Sequence, residues 1–234
     1  MESFKLLNEV DRPDPRMEMY AIVNKRTGES RPRTLDDHYE AVAKFELSSS
    51  VPEDVRSQFN VSKNVLLYAW HSYSFFSVAS QHVLSVLELA MKERIGEENI
   101  KRIGRGMFRY LDFIIKNEWV KNEDLSAWHR RPFEAAMHEY RLKKSEEMHE
   151  KGLKEIELDF REIEVPDENN FDYLGALQET LHKIRNEYAH GTTTLYPYTT
   201  YKFFELAEEF INALFDDKNQ GEFKSVNPAW VNSV

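Results

Sequence analysis

The sequence predicts an all-α protein, a bundle of four main helices that follows a small N-terminal extension. Long segments carry apolar residues at steps of three and four, which is the period of an amphipathic helix. Segments with the two-residue period of a strand are short and lie in the N-terminal part. With 234 residues and 41% hydrophobic content, the chain is also long and apolar enough to bury a core.

Residues 1–50 form the N-terminal extension, which is polar and in which short strands are expected. Met17 to Val23 fits a strand, and the residues that follow, up to Gly28, fit a turn. The segment from His38 to Leu47 fits two structures, because its apolar residues alternate as in a strand while Thr34-x-x-Asp37 is a helix-capping pattern. The sequence leaves both alternatives open.

Residues 51–220 form the predicted bundle. Ser50 and Glu53 have the spacing of a capping box, so a helix is expected to begin there. An apolar run then extends from Val61 to Gly96 and predicts one helix of about eight turns. We expect the aromatic residues of this helix to belong to the core.

Further helices are predicted toward the C-terminus, followed by a tail at residues 221–234 that is expected to lie on the surface. The apolar spacing places these helices at about Met107 to Ile115, Pro132 to Gly152, Leu174 to Gly191 and Tyr198 to Leu214. Gly191 suits the left-handed conformation that often ends a helix. A turn-rich loop is expected from Val165 to Asn170.

The composition excludes several kinds of protein. The chain has no cysteine, so it can form neither disulfides nor thiolate metal sites. No stretch approaches the roughly 20 apolar residues of a membrane span, and the first residues lack the pattern of a secretory signal. We therefore expect a cytoplasmic protein that does not enter a membrane. The net charge of -10 argues against unspecific coating of nucleic acid.

Positive charge is concentrated in the middle of the chain. Lys101, Arg102 and Arg105 lie close together, and Arg109 follows them. Such a cluster is a candidate surface for guiding RNA, whose phosphates are attracted to positive charge. The alternative is that these side chains form solvated helix faces, which is the usual role of a charge run.

The segment from Arg185 to His190 carries the strongest functional signal. An arginine can bind a phosphate with two parallel hydrogen bonds, and a histidine can give or take a proton near neutral pH. Asn186 and His190 are four residues apart, so they share one face of the predicted helix. Together with Arg185 they border the apolar stripe and would line a groove beside it.

The pattern R-N-x-x-x-H, which begins at Arg185, resembles the signature of the HEPN superfamily. The resemblance extends to the placement of the motif on a late helix, after a long helix that begins near Val61. It implies an HEPN-like bundle that forms a homodimer with the two motifs facing each other. The superfamily includes endoribonuclease toxins as well as members without activity.

The resemblance implies a metal-independent endoribonuclease of toxin or defence type, which needs no cofactor. Arg185 would hold the scissile phosphate, and His190 would act as general acid or base. Asn186 and Glu187 would orient these groups or the substrate. RNA and an antitoxin or other regulatory protein are the implied partners. Some members carry a tyrosine two residues after the histidine, where an antitoxin attaches a nucleotide, but this chain has Thr192 there.

Two other interpretations of the motif stay open. As a non-catalytic module, the protein would bind RNA, a nucleotide or a protein partner through the same groove, because a fold does not determine a function. In a purely structural role, Arg185 would pair with an acid such as Glu179 or Glu187, and His190 would cap the end of its helix.

A metal site is a further alternative. Glu146-x-x-His149 and Glu179-x-x-His182 have the spacing of di-iron carboxylate bundles, and Glu88 and Glu205 could supply the additional carboxylates. The dense charge around Glu146 favours a solvated helix instead. The sequence therefore predicts no metal ligands.

Overall fold

The computed structural model describes residues 4–24, 28–189 and 197–216. Within them lie eight α-helices and one antiparallel sheet of two strands, β1 (Ala21–Val23) and β2 (Ser30–Pro32). The helices are α1 (Leu35–Ala43), α2 (Glu53–Tyr68), α3 (Phe75–Ile95), α4 (Glu97–Ile103), α5 (Met107–Lys116), α6 (Ser126–Glu150), α7 (Tyr173–Ala189) and α8 (Pro197–Leu214). The mostly helical class is confirmed, whereas the four-helix HEPN-like bundle remains a prediction.

The chain divides into two compact units. The first joins the described residues up to Val120 with those from Gln178 onward, and the second spans Lys121–Leu177. The first unit contains the small sheet, α1 to α5, α8 and most of α7. Arg185 belongs to this unit.

α3 forms the centre of the first unit. Ten of its residues are buried, and at 100° per residue they form a band around roughly half of the helix. α2 and α8 make the most extensive contacts with α3. These two helices also meet each other, because Phe59 of α2 and Phe204 of α8 have ring centroids 5.8 Å apart and are both fully buried. Removal of this apolar surface from water stabilises the unit.

α2 and α3 are separate helices, so the prediction of one helix from Val61 to Gly96 is wrong. The break is fixed by Asp14 in the N-terminal segment, which is 4% exposed. The Asp14 backbone N–H donates to the Trp70 carbonyl (2.9 Å), and the Asp14 carboxylate accepts from the Tyr73 N–H (3.0 Å). The Arg16 guanidinium bonds the same carboxylate and holds the pKa of Asp14 well below its usual range.

The N-terminal extension contains both a helix and short strands. For the segment from His38 to Leu47, the helical alternative is correct up to Ala43, where α1 ends. The predicted cap is formed, because Thr34 accepts from the Asp37 N–H (3.3 Å) and Asp37 accepts from the Thr34 N–H (2.8 Å). The strand expected from Met17 starts only at Ala21. The residues just before it, Pro15–Met19, form a 3-10 turn that Asp14 caps.

His38 of α1 joins three helices of the first unit and is fully buried. Its Nε2 lies 3.0 Å from the Leu66 carbonyl of α2, and its Nδ1 lies 2.7 Å from the Tyr201 hydroxyl of α8. A carbonyl only accepts, so Nε2 carries the proton and Nδ1 accepts from Tyr201. The Tyr201 oxygen in turn accepts from Arg33 (2.8 Å). Burial lowers the pKa of His38 to about 4.

The second unit contains α6, which passes through a proline. Pro132 has no N–H, so the carbonyl of Trp128, one turn earlier, lacks its helical donor. The Asn169 amide donates to that carbonyl (2.6 Å), and the Trp128 indole N–H donates to the Phe171 carbonyl (2.9 Å). Because Asn169 replaces the missing donor to the Trp128 carbonyl, the helix continues through Pro132. α6 therefore begins at Ser126, before the proline at which the sequence predicted its start.

The charged residues of α6 form solvated helix faces. No residue of this helix is buried, and ion pairs connect successive turns, as between Glu139 and Lys143 (2.9 Å). The returning chain lies against one side, where the Tyr140 hydroxyl donates to Glu162 (3.0 Å). Solvated helix faces therefore account for the charged residues of α6.

The remaining sequence predictions have mixed outcomes. α5, α7 and α8 lie where they were predicted, the loop from Val165 to Asn170 contains no helix or strand, and α4 was not predicted. The cap expected at Gly191 and the tail at residues 221–234 lie outside the described residues. None of the described helices is long and apolar enough to cross a membrane.

The His38 network predicts that the free energy of unfolding decreases as the pH is lowered from 6.5 to 4. In this window the unfolded chain binds a proton on His38 while the folded protein does not, so the contribution of His38 to the unfolding free energy drops by about 3 kcal/mol. The His38→Gln variant keeps a donor to Leu66 but cannot titrate. Denaturant unfolding at several pH values should therefore give a shallower decline for this variant. Equal declines for both proteins would contradict the assignment.

Candidate functional site

α7 carries the R-N-x-x-x-H motif at its C-terminal end. The helix begins after Asp172, whose carboxylate accepts from the Gly175 N–H (3.0 Å) and so caps the first turn. Leu181 is buried and Ile184 is half-buried, so the predicted apolar stripe of α7 faces inward at these two residues. Arg185 follows this stripe directly.

Arg185 forms an ion pair with Glu88 of α3. The Arg185 Nη2 atom lies 3.2 Å from the Glu88 carboxylate, and 39% of the Arg185 side chain and 26% of the Glu88 side chain are exposed. The ion pair agrees with the structural interpretation in which Arg185 pairs with an acid, and the acid that the structure shows is Glu88 of another helix. Since a guanidinium has five N–H donors, one such contact leaves others able to bind a phosphate.

Tyr188 fixes the same end of α7 to α3 and α8. Its ring contacts Phe203 of α8 edge to face, with the centroids 5.7 Å apart, and its hydroxyl bonds Ser80 of α3. Burial raises the pKa of the Tyr188 phenol above its ordinary value. Ser80 is itself fully buried and donates to Thr200 of α8 (2.9 Å). The turn that contains Arg185 is thus held from two sides.

Two side-chain contacts join α5 to α7 and show that the two helices run antiparallel. The Gln178 amide of α7 donates to the Asp112 carboxylate of α5 (3.2 Å). Four residues later on α7, the His182 ring contacts the Phe108 ring, which lies four residues earlier on α5, with the centroids 5.6 Å apart. Arg185 follows His182 by three residues on α7, and Arg105 precedes Phe108 by three residues in the turn before α5.

The turn that carries Arg105 depends on two glycines. Gly104 and Gly106 have φ of 83° and 125°, a region that other residues rarely adopt. The Arg109 guanidinium packs so closely against Gly104 that a Cβ atom there would overlap it, and it donates to the Ile103 carbonyl (3.1 Å). The turn therefore keeps a fixed shape directly before α5.

The predicted site residues have different outcomes. Asn186 and Glu187 are exposed at the end of α7, and Lys101, Arg102 and Arg105 are exposed on α4 and the turn after it. His190, the proposed acid or base, lies outside the described residues.

The di-iron alternative is not formed by the residues that the structure describes. Within them, no three His, Asp or Glu side chains lie close enough to hold a metal ion. Glu88 pairs with Arg185, and Glu205 pairs with Lys202 (2.9 Å).

Sequence reasoning did not assign Glu88 and Phe108 to the site. Glu88 was considered only as a metal ligand, although it is the one Asp, Glu, Lys or Arg residue in the stretch from Phe75 to Met91. That isolation was the available signal. Phe108 gave no comparable signal, because its position depends on the packing of α5 against α7.

Comparison with protein-family models, with curated proteins and with solved structures finds no match for this chain.

The exposure of the Arg185–Glu88 pair predicts that it contributes little to stability. We expect Arg185→Ala to lower the unfolding free energy by less than about 1 kcal/mol, because partly exposed ion pairs rarely exceed this value. A double-mutant cycle with Glu88→Ala, measured by denaturant unfolding, should give an equally small coupling energy. A coupling of about 3 kcal/mol or more, as in buried ion pairs, would show that the arginine is primarily structural.

Proposed function

We propose that this protein is an HEPN-like, metal-independent endoribonuclease of toxin or defence type. The observation that carries the proposal is the position of Arg185, which is partly exposed beside Glu88 at the C-terminal end of α7. In the sequence, His190 follows Arg185 by five residues, and in this proposal it supplies the proton-transferring group for the same phosphate.

The chemistry of the proposed cleavage uses the ribose as nucleophile. The 2'-oxygen loses its proton, attacks the adjacent phosphorus and displaces the 5'-oxygen, which leaves as a hydroxyl after it takes up a proton. The products are a 2',3'-cyclic phosphate and a 5'-hydroxyl. His190 would transfer these protons, and Arg185 would offset the negative charge that grows on the phosphate oxygens.

Glu88 has a positioning role in this proposal. Its carboxylate accepts from one nitrogen of Arg185 and so restricts the rotation of a long side chain. Tyr188 restrains the backbone of the same turn through Ser80 and Phe203. Preorganised charge is effective in catalysis because it need not rearrange during the reaction.

The surroundings of the motif support a polyanionic substrate. Lys101, Arg102 and Arg105 are exposed, and none of the three forms a salt bridge with a residue that the structure describes. Asn186 and Glu187 are exposed beside Arg185 and would orient the substrate. We further propose that the enzyme is cytoplasmic, acts as a homodimer, and is controlled by an antitoxin or another regulatory protein.

The second candidate is a non-catalytic HEPN-like module that binds RNA, a nucleotide or a protein partner. The Arg185–Glu88 ion pair favours it, because a carboxylate already engages the guanidinium and weakens its attraction for a phosphate. A module of this kind would bind RNA without turnover.

We predict that the purified protein cleaves mixed RNA in excess EDTA and leaves 2',3'-cyclic phosphate ends. Substitution His190→Ala should lower the rate about 10²–10⁴-fold with little change in RNA affinity, because general acid–base catalysis contributes that much. Arg185→Ala should lower both the rate and the affinity. Product ends can be identified by mass spectrometry.

The matched controls are His149→Ala and Arg161→Ala, which change the same residue types at exposed positions of the second unit. Both controls should cleave like the wild type. RNA binding without cleavage by the wild-type protein would favour the non-catalytic module, and equal cleavage by all variants would point to a contaminating nuclease.

A further inference from the structure

Phe108 is an exposed aromatic residue on the outer side of α5. The buried side chains of this helix, Met107, Tyr110, Leu111 and Ile114, face the first unit, whereas 45% of Phe108 is exposed. Single exposed apolar residues are common on protein surfaces. The surroundings of Phe108 make it functionally informative.

The Phe108 ring is supported by His182 but not covered by it. The two rings meet at an angle of 80°, so one edge contacts one face, and a second face of Phe108 is left uncovered by this contact. The His182 Nδ1 atom donates to the Gln178 carbonyl one turn earlier (3.2 Å), which fixes the imidazole in place. The Phe108 ring is thus an exposed platform at the side-chain contact between α5 and α7.

Positive charge surrounds this platform. Arg105 and Arg109 flank Phe108 on the turn and on α5, and Lys101 and Arg102 are exposed on the preceding helix. Arg185 follows His182, the residue in contact with Phe108, by three residues on α7. In a protein with a net charge of -10, this local excess of cations is complementary to a phosphate backbone. Aromatic platforms combined with cations are the usual means of binding single-stranded nucleic acid.

We propose that Phe108 stacks on an unpaired nucleobase next to the scissile phosphate, while Arg105 binds the neighbouring phosphate of the same strand. This inference rests on the proposed function, because it extends the Arg185 site by one nucleotide. A base within a duplex is already stacked on both sides, so it cannot reach the Phe108 ring. The subsite therefore selects unpaired RNA.

The test compares Phe108→Leu with Phe108→Trp. Leucine keeps an apolar side chain but has no ring, whereas tryptophan keeps the stacking surface. Two quantities are measured in EDTA, namely the dissociation constant of a short 2'-O-methyl oligonucleotide of mixed sequence, which cannot be cleaved, and the kcat and KM for the corresponding RNA. A hairpin with the same composition serves as the duplex probe, and Phe75→Leu is the control at a similarly exposed position, 41% exposed, on α3.

We expect Phe108→Leu to raise both the dissociation constant and KM about tenfold, as the loss of one base–aromatic contact does, while kcat changes little. Phe108→Trp should restore wild-type values, and Phe75→Leu should have no effect. Stronger binding of the hairpin than of the single strand, or wild-type affinity in Phe108→Leu, would overturn the subsite even if cleavage persists.

The subsite and the proposed activity can fail separately. Binding that depends on Phe108 without any cleavage would support the subsite and reject the nuclease. Cleavage that is indifferent to Phe108 would support the nuclease and reject the subsite. If the wild-type protein neither binds nor cleaves RNA, both are rejected.

Discussion

The buried band of α3 is the constraint on which the first unit depends. Ten residues of this helix are removed from water, and α2 and α8 cover most of them. Because apolar burial dominates the stability of such a unit, polar side chains on α3 must either be bonded or lie at the edge of the band. Ser80 meets the first condition through Thr200, and Glu88 meets the second. Both residues hold α7.

The motif helix contributes buried residues such as Leu181 to the core, which thereby positions its C-terminal turn. Tyr188 reaches inward to Ser80 and Phe203, whereas Arg185 remains partly exposed beside Glu88. This combination restricts the guanidinium but leaves donors for a ligand, which is what an arginine that binds a phosphate requires. The geometry is thus compatible with catalysis and also with binding alone.

The sequence predicted elements that local patterns determine. The apolar spacing located α5, α7 and α8, and the Thr34-x-x-Asp37 pattern indicated the correct alternative for α1. The break between α2 and α3 could not be predicted, because Asp14 forms it from a distant part of the chain. Likewise, the continuation of α6 through Pro132 depends on Asn169. In the site, the motif was visible in the sequence, but Glu88 and Phe108 are brought to it only by helix packing.

The most direct test of the central claim is a double-mutant cycle on the rate of RNA cleavage, with Glu88→Gln and Arg185→Ala as the two changes. If Glu88 acts by positioning Arg185, Glu88→Gln should lower kcat/KM in the wild-type background and have no effect once Arg185 is replaced. If Glu88→Gln lowers kcat/KM by the same factor in both backgrounds, the two residues act independently. That result would contradict a site built around the Arg185–Glu88 pair.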